Sequence, residues 1–267
     1  MTDVAVIIPA RYKSSRYPAK PLAPLRGATG IAKPLIQRSW ECAAAIADRS
    51  SIWIATDDER IADAVRGFGG QVVMTDEACA NGTERCADAI ARLGIEPAII
   101  VNLQGDAPLT PAHVVTALID GLRADPDVAM MTPAIRCARS TYAHLVEDQA
   151  QGRVGGTTVV FGAHHRALYF SKRVIPHLPP EAAAQDFPPV HLHLGVYAYR
   201  PDALRRYVAL RPSQIEQLEG LEQLRFLDGG IPVGVVPFEP IGWDAIELNN
   251  PTDVAPIEAI LKSRGIA

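Results

Sequence analysis

Short apolar runs alternate with helix-length amphipathic segments through the first half of the chain. Residues 4–9 (VAVIIP), 52–55 (IWIA), 71–74 (QVVM) and 98–102 (AIIVN) are nearly continuous hydrophobic stretches, the pattern of strands buried on both faces. Between them the apolar spacing predicts helices over residues 34–47, 58–68, 84–93 and 111–123. Asp57 or Asp58 is placed to cap the second helix. Thr110-Pro111 offers an N-cap followed by proline at the first helical position of the fourth. Strand–helix–strand alternation of this kind predicts an α/β fold with a parallel sheet covered by helices. Ligands of such sheets bind beyond the carboxyl ends of the strands, here the loops after Pro9, Ala55, Met74 and Asn102.

The pattern changes after about residue 132. Residues 157–161 (TTVVF), 167–170 (ALYF) and 193–199 (HLGVYAY) follow one another with Gly, Pro and polar breaks, predicting an inserted antiparallel β region over roughly 132–200 within a single domain spanning 1–267. Residues 176–189 contain five prolines and read as an exposed loop. Helical spacing returns at 202–210 and 220–227, a strand at 232–238, and a last helix at 250–264. There is no internal repeat.

Composition narrows the possibilities. With 48% hydrophobic residues in 267, the chain can bury a sizeable core. Its net charge of −4 disfavours a nucleic-acid binder. The N-terminal MTDVAVIIPARYK has Asp3 and too short an apolar run for a signal peptide, and no stretch approaches the roughly 20 apolar residues that span a bilayer, so membrane insertion is not expected. Cys42, Cys79, Cys86 and Cys137 show neither CxxC nor metal-ligand spacing, which predicts reduced thiols in a cytoplasmic protein.

Three segments carry candidate chemistry. Residues 11–33 hold Arg11, Lys13, Arg16, Lys20, Arg26 and Lys33 with no acidic residue, directly after the first strand. A basic, small-residue loop at that edge suits a polyphosphate, although a solvated basic loop has the same composition. It is neither a Walker-type P-loop nor the Rossmann GxGxxG. Leu103-Gln104-Gly105-Asp106-Ala107-Pro108 follows another strand, where a carboxylate in a Gly turn can hold Mg²⁺ beside phosphates or simply make a turn. Asn81-Gly82-Thr83-Glu84-Arg85 enters a helix, so Thr83 is either a helix cap or a nucleoside contact.

Seven blocks occur in order: PARYKSSRYPAKPL at 9–22, ATD at 55–57, NGTER at 81–85, VNLQGDAP at 101–108, ALYFSK at 167–172, HLGVYAYR at 193–200 and LEQLRFL at 221–227. Together they resemble the CMP-Kdo synthetase family, the 3-deoxy-manno-octulosonate cytidylyltransferases, over roughly residues 3–262. The resemblance implies a nucleotide-diphospho-sugar-transferase-like, Rossmann-type mixed sheet flanked by helices, dependence on Mg²⁺, a homodimer formed through the inserted β region, and CMP transfer from CTP to an acidic sugar. It would place Arg11 and Lys20 on the triphosphate with Arg16 nearby, and Ala10, Thr83 and Gln104 around the cytidine. Asp106 would be the main metal ligand. Lys172, His193, Tyr197, Glu222 and Gln223 would surround the sugar acid. His191 and His193 read as alternating along a strand, one of them facing the pocket, and the resemblance selects His193.

Nucleotidyl transfer of this kind needs cations that neutralise and align two anions, with no covalent protein intermediate. Three departures bear on the acceptor. Asn249 stands where the family has an aspartate as second metal ligand, with Glu247 a possible substitute; Ala107 replaces a glutamate; and Lys172 replaces an arginine. These leave two alternatives: a cytidylyltransferase for another acid (an 8-amino Kdo analogue, a nonulosonate or another small acid), or a nucleotide-binding relative without catalysis. The remaining conspicuous residues read as structural: His164-His165 as a turn, Trp40, Trp53 and Trp243 as packing, and Cys86 as a thiol without a histidine partner.

Overall fold

The computed structural model describes residues 3–13, 17–240 and 247–267. Its first half contains β1 (Val4–Ala10), a hairpin of β2 (Pro24–Arg26) and β3 (Ala32–Pro34), α1 (Leu35–Ala43), β4 (Ile52–Thr56), α2 (Glu59–Gly67), β5 (Gln71–Met74), α3 (Gly82–Leu93), β6 (Ile99–Leu103) and α4 (Ala112–Ala124). The second half adds β7 (Met130–Arg136), α5 (Arg139–Ala150), β8 (Thr157–Phe161), β9 (Ala167–Ser171), α6 (Pro180–Ala183), β10 (His191–His193), β11 (Val196–Tyr199), α7 (Pro201–Ala209), α8 (Gln214–Glu219), α9 (Leu224–Asp228), β12 (Val233–Phe238) and α10 (Val254–Ser263).

Ten strands among the described residues form one mixed sheet in the order β5-β4-β1-β6-β11-β7-β10-β8-β9, with β12 beside β7. β5, β4, β1 and β6 are parallel, whereas β11 runs antiparallel to both β6 and β7. From β1 the chain steps outward to β4 and β5, then returns to place β6 on the other side of β1. The strand order therefore reverses between β1 and β6, the position at which α/β sheets open a ligand crevice.

Alternation along β1 divides the core. Ala5 and Ile7 face a cluster with Tyr199, Tyr207 and Phe226, under α3, α7 and α9. Val6 and Ile8 face Ile36, Trp40, Ile61 and Leu118 of α1, α2 and α4. Val159 and Phe170 belong to the first cluster, so the inserted strands extend the same sheet and core.

Several local expectations are corrected. The helix after Thr110 begins at Ala112 with Pro111 as its N-cap. The Thr110 hydroxyl donates back to the Ala107 carbonyl at 3.0 Å instead of capping. Residues 193–199 are not one strand: a bend at Leu194-Gly195 lets His193 pair with β7 and β8 while Val196 onward pairs with β6. Gly220 does not begin a helix but ends α8 in the left-handed region, φ +61°, after a Ser213–Glu216 capping box. Pro133 interrupts the strand signal of β7, and α5 lacks a clean apolar stripe, so neither is legible from periodicity. His164-His165 is the expected turn, with His165 at φ +51°.

Candidate active site

A cavity of about 740 Å³ opens at the carboxyl ends of β1 and β6. One wall is the end of β1 and the loop after it (Pro9, Ala10, Arg11 and, further on, Lys20) together with Gln104, Gly105 and Asp106 after β6. The two loops touch because residue 105 is glycine: a Cβ there would stand 2.7 Å from the Pro9 carbonyl oxygen. The Ser39 hydroxyl donates to the Gly105 carbonyl at 2.9 Å, and the Leu248 N–H donates to that of Asp106 at 2.9 Å. The turn is thus held from α1 and from the C-terminal segment. Lys20 Nζ donates to Asp106 Oδ2 at 2.6 Å. Ala19, just before it, adopts φ +56°, a strained conformation for a residue with a Cβ and one that recurs at functional sites.

The facing wall comes from the start of α3 and the segment between α8 and α9. Asn81 caps α3, its Oδ1 accepting from the Glu84 N–H at 2.9 Å. Gly82 lies where a Cβ would meet Gln104 Nε2 at 3.0 Å, so Gln104 packs directly on the helix start. Glu222, Gln223 and Tyr197 line the cavity from this side. Glu222 Oε2 accepts the Thr83 N–H at 3.0 Å, and burial pushes its pKa up against the lowering effect of hydrogen bonds from the Thr83 backbone and side chain. The Tyr197 hydroxyl donates to Gln223 Oε1 at 3.4 Å, leaving Gln223 Nε2 as a buried donor with no partner among the described residues.

Of the residues singled out from sequence, Ala10, Arg11, Lys20, Gln104, Asp106, Tyr197, Glu222, Gln223 and Asn249 come together around this cavity. Arg16 and Trp243 lie outside the described residues. Three others stand behind the walls. Thr83 is fully buried and its hydroxyl pairs with Tyr199 Oη at 2.9 Å, because Asn81 has taken the capping role that would turn residue 83 outward. Lys172 rests its ammonium against Gly220, itself a lining residue, with its backbone N–H on Glu219.

His193 sits beneath Tyr197, packed between that ring and Phe170. The Thr132 hydroxyl donates to the Val196 carbonyl, so it accepts from His193 Nε2 at 2.8 Å, and burial pushes His193 down to about 3. His191 and His193 do not alternate: residues two apart in a strand share a face, and His191 packs on Phe161 further along it.

Sequence reasoning assigned no role to Arg85, Glu216 or Arg225, all of which line the cavity. Arg85 and Arg225 lie inside the NGTER and LEQLRFL blocks. Ser213-Gln-Ile-Glu216 is a capping-box pattern that would have placed Glu216 on a helix. Asp57 does not cap α2, since Asp58 does; its carboxylate instead accepts from Arg85 at 3.0 Å.

No cluster of three or more His, Cys, Asp or Glu suited to a metal occurs among the described residues. Asp106 and Asn249, a carboxylate and an amide, nevertheless line one cavity with Lys20 and Arg11. That hard-oxygen set fits Mg²⁺ completed by phosphate oxygens and water. Asn249 Nδ2 donates to Glu247 Oε2 at 3.3 Å, and its N–H is held by Asp253.

A sequence profile of the cytidylyltransferase family matches residues 5–232. The chain is 45% identical over 265 residues to a 3-deoxy-manno-octulosonate cytidylyltransferase of Maricaulis maris, covering 98% of each chain. It is 39% identical over 261 residues to an 8-amino-3,8-dideoxy-manno-octulosonate cytidylyltransferase of Shewanella halifaxensis, covering 97% of this chain and 98% of the relative. Among solved structures, a CMP:2-keto-3-deoxy-manno-octonic acid synthetase complexed with CTP superposes with a TM-score of 0.82 at 33% identity, covering 98% of this chain and all of that one.

Proposed function

The chain belongs to the cytidylyltransferase family and is a nucleotidyltransferase, and from that premise we propose that it transfers CMP from CTP to the anomeric hydroxyl of 3-deoxy-D-manno-octulosonate (Kdo), releasing pyrophosphate. The observation that carries this reading is the pairing of walls: Arg11, Lys20 and Asp106 on one side of the cavity, Tyr197, Glu222 and Gln223 on the other.

Arg11 and Lys20 take the triphosphate, and the cavity edge at Ala10, Gly82 and Gln104 takes the cytidine. The sugar acid lies against Gln223 and Glu222, with the Gln223 amide nitrogen free to donate to its oxygens. Its hydroxyl attacks the α-phosphorus as the bond to pyrophosphate breaks. Two anions must approach for this, and Arg11 and Lys20 supply fixed positive charge where the repulsion is greatest. Asp106 and Asn249 would hold Mg²⁺, which supplies further neutralisation of the phosphates when bound.

The edge strand β9, carrying Leu168 at 65% exposure, supports homodimerisation through the inserted strands. Four free cysteines support a cytoplasmic location, and no helix among the described residues is long and apolar enough to cross a membrane.

A second reading keeps CTP and changes the acceptor to the 8-amino analogue. Lysine at 172 motivates it, and the Shewanella relative of that name shares 39% identity with this chain. Pyrophosphate release from CTP and Mg²⁺ with a panel of 2-keto-3-deoxy sugar acids separates the two. Turnover of Kdo is the expected result. Turnover of the 8-amino acid alone would move the protein to the second reading, and silence with every acid would overturn both.

A further inference from the structure

Arg225, 3% exposed, is the buried cation that joins the two faces of the facing wall. Its Nε and Nη2 donate to both oxygens of Glu216 at 2.7 and 2.6 Å, and Nη1 donates to Glu84 Oε1 at 3.0 Å. The guanidinium lies 4.1 Å from the centre of the Tyr207 ring. One side chain of α9 therefore binds elements from α3, α7 and α8. Two of those partners reach the nucleotide-side loop: Glu84 Oε2 accepts the Ala80 N–H at 2.8 Å, and the Tyr207 hydroxyl accepts from Asn81 Nδ2 at 2.9 Å. On its other side Arg225 sits in the turn immediately after Glu222 and Gln223.

A buried ion cluster is a weak device for stability, since apolar groups of similar volume often serve as well. A forked guanidinium with two carboxylates is, by contrast, a strong device for geometry, because its donors are rigidly spaced and match a carboxylate in two places. We propose that Arg225 is a positioning residue for nucleotidyl transfer: it fixes the Glu222–Gln223 segment relative to the loop of residues 80–82, and so holds the acceptor in line with the nucleotide. The inference rests on the reading that these two segments carry the acid and the nucleoside.

The test compares wild type with Arg225→Lys, which keeps the charge and loses the fork, and with Glu84→Gln, which frees one arm. Kinetics with CTP and Kdo, calorimetric CTP binding and backbone amide hydrogen exchange are measured on each. Both variants are expected to lose about tenfold to hundredfold in kcat/KM for the acid, a size typical of a misplaced reactant. CTP affinity is expected to stay within about threefold, as for a group that does not bind the nucleotide. Exchange is expected to quicken at residues 80–83 and at 221–224 together. A lower melting temperature with unchanged kcat and KM, or faster exchange at 221–224 alone, would overturn the proposal. Wild-type enzyme silent toward Kdo would overturn the acceptor reading, and hydrogen exchange would still decide the role of Arg225.

Discussion

Lys20 Nζ lies 2.6 Å from Asp106 Oδ2, joining the loop that follows β1 to the turn that follows β6, 86 residues away in the chain. The cation proposed for the triphosphate and the carboxylate proposed for the metal are each other's counter-ion. Both side chains are largely withdrawn from solvent, at 15% and 25% exposure. Each charge thereby has a partner at the cavity wall.

Replacing Lys20 by Gln removes positive charge from the place where the attacking and leaving groups are both anionic. The expected loss is about 10²–10³-fold in kcat, comparable with removal of a preorganised oxyanion donor. Steady-state pyrophosphate release measures it, and a loss under tenfold would remove Lys20 from the chemistry.

Asn249→Asp exchanges a donor to Glu247 for a second carboxylate 3.3 Å from the first. Without divalent metal this variant should be less stable than wild type by about 1–2 kcal/mol, the cost of a lost hydrogen bond plus like-charge contact. Added Mg²⁺ should restore much of that loss. Thermal melts with and without Mg²⁺ check the expectation, and an equal loss in both conditions would separate residue 249 from the metal site.

Thr83→Val distinguishes a buried structural hydroxyl from a nucleoside contact. Tyr199 loses its partner in a fully buried position, which should cost about 1–3 kcal/mol of stability. KM for CTP should be unchanged, because Thr83 is not among the residues that line the cavity. Weaker CTP saturation without loss of stability would reverse that assignment.

His193 gives the fold a pH dependence of known sign. Its folded pKa of about 3 lies below the ordinary 6.5, so between those values the unfolded chain binds the extra proton. Stability from this group is complete above about pH 6.5 and falls as the pH is lowered toward 3, with a slope of up to about 1.4 kcal/mol per pH unit. His193→Gln retains a donor for Thr132 and removes the titration. The stability difference between wild type and variant, followed from pH 7 to 4, should shrink or invert toward acid. A pH-independent difference would contradict it.

The parallel half of the sheet was legible because its strands are short hydrophobic runs whose alternate residues serve two helical layers, as Ala5 and Ile7 against Val6 and Ile8 show. The ligand edge followed from the same pattern, and Arg11, Lys20, Gln104 and Asp106 all stand on it. Thr83 misled because the two positions flanking Gly82, Asn81 and Thr83, can each supply a capping oxygen, and local sequence does not choose between them. The choice came from Tyr199, a strand residue 116 positions away whose hydroxyl needed a buried partner.

Spacing and residue type by themselves determined the α/β layering, the basic loop, the Gly-Asp turn and the family, since these are short-range patterns repeated in register. Only the tertiary structure decided that His193 lies under Tyr197, that Lys172 is turned against Gly220, and that Glu84 and Arg225, 141 residues apart, meet at the cavity wall. The physical reason is that burial and charge pairing depend on which surfaces the folded chain brings together. A buried guanidinium must find its carboxylates, but nothing local to Leu224-Arg225-Phe226 states where in the chain they will be.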